Sequence, residues 1–382
     1  MVGPRFRRAL VAALGAVLAL AAAAPAAHAD VTLAVAPNPV GFGRSVTASG
    51  AVTPAAQTPV ELYRRQDAGW RLVAAGETGA DGAFSLSFVA RRPGELVARA
   101  DGVESTPVRL RIRPRLTASF RGLNVLGARL AVRGRLVPAG AGVLRLTVLR
   151  STRKVAVASD GRFEAVVPTR RAGRLRAKLA VDPAPGFVRT RRTLRKRIVA
   201  PVLSVGSGGR AVGFLERRLT ELRYVVPGVN RRYAAGTRDA VYAFQKVEGL
   251  SVTGVVGPQV WRALRRARTP RALVPRGRHI EVDKGRQVVF EVRKGRVRRI
   301  VHVSTGATGN TPVGRWRIYS KTPGLNSLGM YYSMYFLRGF ALHGYASVPT
   351  YPASHGCVRL PMWYARGIYD RWPVGSIVRV FA

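Results

Sequence analysis

Residues 343–360 read HGYASVPTYPASHGCVRL and contain the chemistry on which the interpretation of the whole chain depends. Two histidines, His343 and His355, lie within fifteen residues of Cys357, the sole cysteine of the chain. A cysteine attacks as its thiolate, yet a free thiol is mostly protonated at neutral pH. An imidazole can take that proton and return it to a leaving group, because its pKa lies near the working pH. The stretch therefore predicts a nucleophilic cysteine served by a histidine.

The residue before the cysteine supports the same chemistry. Gly356 permits a tight backbone turn, so that consecutive N–H groups can point at the oxygen that becomes negative when a carbonyl is attacked. Two other interpretations remain open from the residues alone. The cysteine could be buried with two structural histidines. Alternatively, His343, His355 and Cys357 could hold a metal, although a fourth ligand is missing from this pattern.

The N-terminus predicts export. Three arginines precede an apolar run and a small-x-small cleavage pattern: Arg5, Arg7 and Arg8, then residues 9–24, then Ala27-His28-Ala29. These features predict a secretory signal peptide over residues 1–29. The apolar run is shorter than the ~20 residues of a spanning helix, and an uncleaved anchor is the alternative. Exported proteins usually pair their cysteines, so a single thiol indicates burial or use.

The net charge of +45 is extreme, and it comes almost entirely from arginine because only seven of the 64 basic residues are lysine. One interpretation is the codon bias of a GC-rich genome. The other is attraction to a polyanion, such as an anionic wall polymer or an acidic lipid. No pattern typical of nucleic-acid-binding domains occurs, so a nucleic-acid partner is not expected.

Residues 31–200 contain an internal repeat. Asp81-Gly82-Ala83-Phe84 recurs as Asp160-Gly161-Arg162-Phe163, and a glycine follows ten residues later in both copies, at Gly94 and Gly173. Alternating apolar runs predict short strands, and the Asp-Gly pairs suit hairpin turns. We expect two tandem β-sandwich modules, residues 30–113 and 114–200, similar to immunoglobulin-like domains and acting as spacers.

Residues 201–268 change to helical spacing. Three helices are predicted: one around residues 211–222, one at 237–248 and one around 260–264. The core Phe244-Gln245-x-x-x-Gly249-Leu250, followed by Gly254-x-x-Gly257-Pro258-x-x-Trp261, resembles the peptidoglycan-binding domain of bacterial wall enzymes. Two departures stand out: Glu216 replaces the usual glutamine, and residues 225–232 form an insertion that is expected to lengthen a loop. The alternative is a helical module that merely packs on its neighbour.

A linker is predicted at residues 269–276, and the last domain at 277–382. Its strands are expected at 280–283, 287–292, 297–304, 316–319 and 377–381, and a helix at 362–372. The segment Ser354-His355-Gly356-Cys357-Val358-Arg359-Leu360, with His343-Gly344 upstream, resembles the signature of YkuD-type L,D-transpeptidases. Further matches are Ser304-Thr305-Gly306, Thr311-Pro312-x-Gly314 and Gly375-Ser376-x-Val378.

That resemblance implies roles for the site residues. Cys357 would be the nucleophile, and His343 the proton acceptor and donor. The backbone carbonyl of Gly344 would hold the imidazole, although many family members have serine there. Ser354, His355 and Gly356 would shape the site. Arg359 would stabilise the turn or bind a substrate carboxylate, with a structural salt bridge as the alternative. No cofactor and no metal are implied.

The whole chain is therefore expected to be multidomain: two all-β sandwich modules, a three-helix peptidoglycan-binding domain and a mainly β catalytic domain. It would be secreted to the cell wall or periplasm, act on peptidoglycan stem peptides in cell wall biogenesis, and meet a membrane only through an uncleaved signal peptide. The expected reaction forms 3→3 cross-links through a cysteine acyl-enzyme. Water, a free D-amino acid or a wall protein as acceptor, and a catalytically silent domain, are the rival hypotheses.

Overall fold

The computed structural model describes residues 29–382, which fall into two compact units. The first contains residues 29–113 together with Pro185–Val188, and the second contains Pro114–Ala184 and Arg189–Ala382. Strands dominate both, which confirms the predicted fold class. Within residues 29–382, every helix is too short or too polar to cross a bilayer. Apart from Ala29, the predicted signal peptide lies outside the described residues.

The first unit is built from eleven strands in two main sheets. They are β1 (Asp30–Val31), β2 (Ala34–Ala36), β3 (Val40–Gly41), β4 (Arg44–Thr53), β5 (Pro59–Gln66), β6 (Gly69–Glu77), β7 (Ala83–Ala90), β8 (Gly94–Ala100), β9 (Val103–Glu104), β10 (Val108–Leu110) and β11 (Ile112–Arg113). One sheet has the order β1-β4-β2 with β7 beside β4, and the other has the order β10-β8-β5-β6. Alternate residues of β7 are buried in a core with Leu62 and Leu96, as expected for strands with one covered face.

The second β module repeats this plan. Its strands are β12 (Arg115–Gly122), β13 (Leu130–Val137), β14 (Gly142–Val148), β15 (Ser151–Lys154), β16 (Arg162–Val167), β17 (Gly173–Pro183) and β18 (Thr190–Ile198), with a short 3-10 helix at Ala139–Ala141. The sheets are β12-β13-β16 and β15-β14-β17-β18. The repeated Asp-Gly pairs adopt the same turn in both modules. The carboxylates of Asp81 and Asp160 each accept an N–H two residues on, and Gly82 and Gly161 have φ of 76° and 83°.

Three amphipathic helices follow: α1 (Arg210–Glu221), α2 (Ala235–Val247) and α3 (Pro258–Arg266). Their apolar faces bury Leu215, Phe244 and Trp261 completely. The buried Glu216 carboxylate accepts hydrogen bonds from the Arg231 N–H at 2.9 Å and the Thr237 hydroxyl at 3.3 Å. Glutamate at this position therefore fastens the inserted loop to the helices.

The last domain contains nine strands and one helix. They are β19 (Arg278–Asp283), β20 (Val288–Arg293), β21 (Arg296–His302), β22 (Gly314–Arg317), β23 (Ser320–Leu325), β24 (Tyr331–Leu337), β25 (Phe340–Tyr345), β26 (Val358–Pro361), α4 (Met362–Arg371) and β27 (Ile377–Phe381). A five-stranded sheet has the order β21-β20-β19-β27-β22, and a four-stranded sheet has the order β23-β24-β25-β26. The two sheets share a core with α4.

The helical module and the last domain are not separate bodies. Phe244 and Trp261 belong to the same buried cluster as Phe290 of β20 and Ile300 of β21. The insertion also does more than lengthen a loop, because the Val225 N–H donates to the Ile300 carbonyl at 3.1 Å and extends the edge of the five-stranded sheet. The module therefore packs as part of one continuous core.

Candidate active site

The site lies where two parallel strands of the four-stranded sheet meet. β25 and β26 pair so that His343 is opposite Arg359 and Leu342 is opposite Val358. Because side chains alternate along a strand, His343 and Arg359 share a face of the sheet. Cys357 immediately precedes β26, two residues before Arg359. The Arg359 charge lowers the pKa of both Cys357 and His343.

The imidazole of His343 is held in a defined orientation. The side chain is buried, and its Nδ1 lies 2.9 Å from the carbonyl oxygen of Gly344. We assign the proton to Nδ1, because a carbonyl oxygen can only accept a hydrogen bond, and Nε2 is then the free acceptor. Burial lowers the pKa of His343, the Gly344 carbonyl opposes this effect, and the Arg359 charge adds to it. The net shift keeps the imidazole neutral and able to take a proton.

The thiol of Cys357 is half-buried, and its Sγ lies 3.6 Å from the Gly339 carbonyl oxygen. Burial raises the pKa of Cys357, whereas the Ala341 N–H and the Arg359 charge lower it, and the net shift is upward. The directions of the two pKa shifts favour the neutral thiol and the neutral imidazole. A neutral thiol becomes a strong nucleophile only when a base removes its proton, and a neutral imidazole with a free Nε2 is such a base.

The turn that carries Cys357 depends on glycine and serine. Gly356 has φ of 127°, and a Cβ there would lie 2.3 Å from Cε1 of Phe340. The Ser354 hydroxyl donates to the Cys357 carbonyl at 2.6 Å and accepts the Gly356 N–H at 3.0 Å. Ser354 thus ties the two ends of the turn together, and only glycine fits at its centre.

A second loop, residues 305–311, holds this turn from outside. The Asn310 amide donates to the His355 carbonyl at 2.9 Å, and the Thr311 hydroxyl donates to the Gly356 carbonyl at 2.8 Å. The Thr311 oxygen also accepts the Gly306 N–H at 2.8 Å. The sequence motif contained Thr311 without assigning it a role, and nothing local in the sequence indicated Asn310.

The remaining predicted residues separate into exposed and packed groups. His355 exposes its side chain, and only its backbone takes part in the turn. The Arg359 guanidinium stacks 4.2 Å from the ring centroid of Tyr345, which in turn meets His343 edge-on at 5.7 Å. Among residues 29–382, no carboxylate forms a salt bridge with Arg359. Gly344 is required for packing, since a Cβ there would lie 2.7 Å from that of Ala365.

Comparisons with known proteins bear on this geometry. The family model of the L,D-transpeptidase catalytic domain matches residues 277–380. A crystal structure of the L,D-transpeptidase (residues 123–326) from Xylanimonas cellulosilytica is 35% identical, over 48% of this chain and 99% of that one, with a TM-score of 0.46. The chain belongs to the L,D-transpeptidase family. The family model of a putative peptidoglycan binding domain matches residues 208–264 of this chain.

Two further solved structures are more distant. L,D-transpeptidase 1 of Mycobacterium tuberculosis is 22% identical to this chain, and the match covers 28% of this chain and 62% of the Mycobacterium protein, with a TM-score of 0.23. An L,D-transpeptidase from Mycobacterium smegmatis is 15% identical to this chain, and the match covers 70% of this chain and all of the Mycobacterium protein, with a TM-score of 0.25. The comparison with curated proteins gave no match.

The geometry also bears on the metal interpretation. Across the described part of the transpeptidase, histidine, cysteine, aspartate and glutamate side chains form no group of three or more that could hold a metal ion. His355 is exposed, and His343 uses Nδ1 on a backbone carbonyl.

A half-buried lysine of the helical module, Lys246, contacts the catalytic domain. Nζ of Lys246, on α2, lies 3.1 Å and 3.2 Å from the carbonyl oxygens of Gln287 and Val303 and 2.8 Å from Nδ1 of His302. His302 in turn uses Nε2 on the carbonyl of Val348, in the segment between β25 and β26. Burial lowers the pKa of Lys246 to about 7. Sequence reasoning missed this link, because its partners are distant along the chain.

Gln287 extends the link to the active-site turn. Its side chain donates to the Thr305 hydroxyl at 2.7 Å and accepts the Thr305 N–H at 2.8 Å. The Thr305 carbonyl then accepts the N–H of Ser354 at 3.0 Å. A continuous set of hydrogen bonds therefore joins α2 of the helical module to the turn that carries Cys357.

Proposed function

We propose that this transpeptidase forms 3→3 cross-links in peptidoglycan through an acyl-enzyme on Cys357, with His343 as the proton acceptor and donor. The observation that carries the proposal is the hydrogen bond from His343 Nδ1 to the Gly344 carbonyl. It leaves Nε2 free to act as a base on the sheet face shared with Arg359, two residues after Cys357, and the raised pKa of the Cys357 thiol makes an external base necessary.

The first half of the reaction is acylation. Nε2 of His343 takes the proton of Cys357 as Sγ attacks the carbonyl of the third stem residue, and a sulfur–carbon bond forms. The positive charge of Arg359 lies near the reacting groups and favours the negative charge that develops there. When the tetrahedral intermediate collapses, the carbon–nitrogen bond to the terminal D-Ala breaks. The departing amine takes its proton from His343, which returns to its neutral form.

The second half is transfer to an acceptor. An amine of a neighbouring stem attacks the thioester, loses a proton to Nε2 of His343, and forms the new amide. The sulfur leaves and recovers its proton from the same imidazole, so the enzyme is restored. One amide is exchanged for another without net oxidation or hydrolysis.

The other regions serve delivery in this proposal. The signal peptide at residues 1–29 exports the chain to the cell wall or periplasm. The helical domain at 201–268 binds peptidoglycan and, with the linker at 269–276, adjoins the catalytic domain at 277–382. The β modules at 30–113 and 114–200 are spacers. The match of residues 208–264 to a peptidoglycan binding domain supports peptidoglycan as the common partner.

The test is incubation of the mature protein with disaccharide tetrapeptide, followed by mass spectrometry. We expect dimers whose mass is lower by one D-Ala, and their absence with Cys357→Ala. Products that are exclusively tripeptide monomers would instead indicate hydrolysis. A mature N-terminus at Asp30 would support export through residues 1–29.

A second measurement separates the roles of the two residues. A carbapenem, from a class with which this family generally reacts, should add its mass to the wild type and not to Cys357→Ala. His343→Ala should acylate at least ~10²-fold more slowly, as expected for loss of a general base. Its thiol should still be alkylated fully after denaturation. Wild-type acylation rates in His343→Ala would overturn the assigned role.

A further inference from the structure

One sheet of the second β module carries a dense patch of positive charge on its outer side. Leu175, Ala177 and Leu179 of β17 are buried, so the residues that alternate with them point to solvent. Together with the cross-strand positions of β18, they define a surface that we call the basic face: Arg174, Arg176, Lys178, Arg191, Arg195 and Arg197, all exposed.

The pairing of the basic face is unusual for an antiparallel sheet. Register places Arg197 opposite Arg174 and Arg195 opposite Arg176. Like charges that lie directly opposite each other destabilise a sheet. None of the six residues takes part in a salt bridge within the described chain. The acid of these two strands, Asp182, already binds Arg145 and Arg189.

The first β module provides an internal comparison. Its equivalent sheet, β10-β8-β5-β6, has the same strand order and comes from the same arginine-rich chain. There, Arg99 lies opposite both Glu61 and Glu104, and Arg109 lies opposite Glu95. The arginine-rich composition of the chain therefore does not by itself explain the basic face, because the equivalent sheet of the first β module places arginines opposite glutamates.

We propose that the basic face binds a linear anionic polymer of the cell wall, one that repeats phosphate or carboxylate groups along its backbone. Alternate residues of a strand are about 7 Å apart and neighbouring strands about 4.8 Å apart. An extended polymer that lies along β17 and β18 therefore meets a cation at each short step. Guanidinium groups bind both phosphate and carboxylate through paired hydrogen bonds.

The composition of the basic face argues against two other polyanions. Its outward positions carry no aromatic side chain, so it offers no platform on which unpaired bases could stack. It also lacks the large apolar or aromatic side chains that enter a bilayer at its interface. A flat array of arginines without an apolar component suits a flexible, hydrated polymer.

The experiment uses the mature full chain and immobilised poly(glycerol phosphate), with polygalacturonate as the carboxylate probe. The test variant combines Arg174→Gln, Arg176→Gln, Arg195→Gln and Arg197→Gln. The matched control removes the same charge from four exposed arginines of the first module that form no salt bridge: Arg91→Gln, Arg92→Gln, Arg111→Gln and Arg113→Gln. Kd is measured at several salt concentrations, and cross-linking of soluble tetrapeptide is measured in parallel.

We expect the test variant to bind at least ~10-fold more weakly, with a salt dependence shallower by about three in log–log slope, whereas the control changes less than about threefold. Cross-linking of soluble substrate should stay unchanged in both. Tighter binding to polygalacturonate than to poly(glycerol phosphate) would support the proposal with a carboxylate polymer as the ligand. Equal losses in test and control variants would overturn it. Tighter binding to duplex DNA or to phosphatidylglycerol vesicles than to both polymers would do the same.

Thermal stability gives an independent readout. Because the test variant removes two opposed like-charge pairs, its Tm should rise by about 1–4 °C while binding is lost. A merely structural role for these arginines predicts the opposite sign. A fall in Tm together with weaker binding would therefore overturn the assignment.

Discussion

Replacement of Gly356 by alanine is the sharpest test of the active-site turn. At φ of 127° an L-residue is strained, at a cost of about 1–3 kcal/mol. The new Cβ would also lie 2.3 Å from Cε1 and 2.9 Å from Cδ1 of Phe340, and overpacking of this kind costs a further ~1–3 kcal/mol. The substitution must either lower the free energy of unfolding by the sum of the strain and overpacking costs, or shift the backbone of the turn. Relaxation moves Cys357, and displacement by about 1 Å can cost ~10²-fold in rate.

Two companion variants separate the strain from the clash. Gly309→Ala is the matched control, because Gly309 also has a positive φ, at 74°, yet a Cβ there would contact nothing within 4 Å. It should cost only about 1 kcal/mol. Adding Phe340→Ala to Gly356→Ala removes the obstructing ring, so the second substitution should cost less in the Phe340→Ala background than in the wild type.

The assays are the Tm of each variant and the rate at which a carbapenem adds to Cys357, followed by intact mass. We expect Gly356→Ala to lose at least ~10²-fold in acylation rate or several degrees in Tm, and Gly309→Ala to stay close to the wild type. A Gly356→Ala protein with wild-type Tm and acylation within twofold of the wild type would refute the geometric reasoning.

Three other predictions test neighbouring contacts. Gly344→Ser should lower Tm because its Cβ meets that of Ala365 at 2.7 Å, and Ala365→Gly should restore part of the loss; an unchanged Tm in the single variant would contradict the packing. Since the pKa of Cys357 is raised, its native alkylation by iodoacetamide should keep accelerating beyond pH 9, and a plateau below pH 7 would indicate a thiolate–imidazolium pair instead. Lys246→Met leaves three buried acceptors unpaired and should lower the free energy of unfolding by about 1–3 kcal/mol. With a folded pKa of about 7 against about 10.4 unfolded, Lys246 binds more protons in the unfolded chain between those values. Wild-type stability in urea should therefore rise relative to Lys246→Met from pH 7 to 9.5, and a parallel pH dependence would refute this.

The sequence predicted the strands of the five-stranded sheet and helix α4, but it predicted none of β23 to β26, the strands of the sheet on which the site lies. Hydrophobic periodicity placed the helix that was found at Met362–Arg371 and the closing strand Ile377–Phe381, and Gly249 follows the end of α2 with φ of 65°. The residue types indicated a cysteine served by a histidine, and the choice of His343 over His355 came from the resemblance to L,D-transpeptidases. His343 lies on β25 and Cys357 immediately precedes the adjacent parallel strand β26, and the roles assigned to them stay a prediction.

Other features were beyond the reach of local pattern. Strand β23 and its pairing with β24 contain register shifts near Pro323 and Gly324, which break the alternation that marks a strand. Asn310 acts on a carbonyl 45 residues away, and Lys246 acts on His302 across 56 residues. Such contacts depend on tertiary packing, and neither residue type nor spacing near Asn310 or Lys246 signals them.

The continuous core beneath α2 and β21 has a mechanical consequence. If a flexible linker joined the helical module to the catalytic domain, Cys357 could reach stem peptides at many distances from the bound module. Here the helical module and the five-stranded sheet share one buried core, so we expect them to move together as a rigid body. If the helical module binds peptidoglycan as proposed, Cys357 lies at a fixed distance from the bound segment. Cys357 would therefore reach only the stem peptides that lie at this distance from the bound module. It would reach other stem peptides only after the module dissociates from peptidoglycan and binds again.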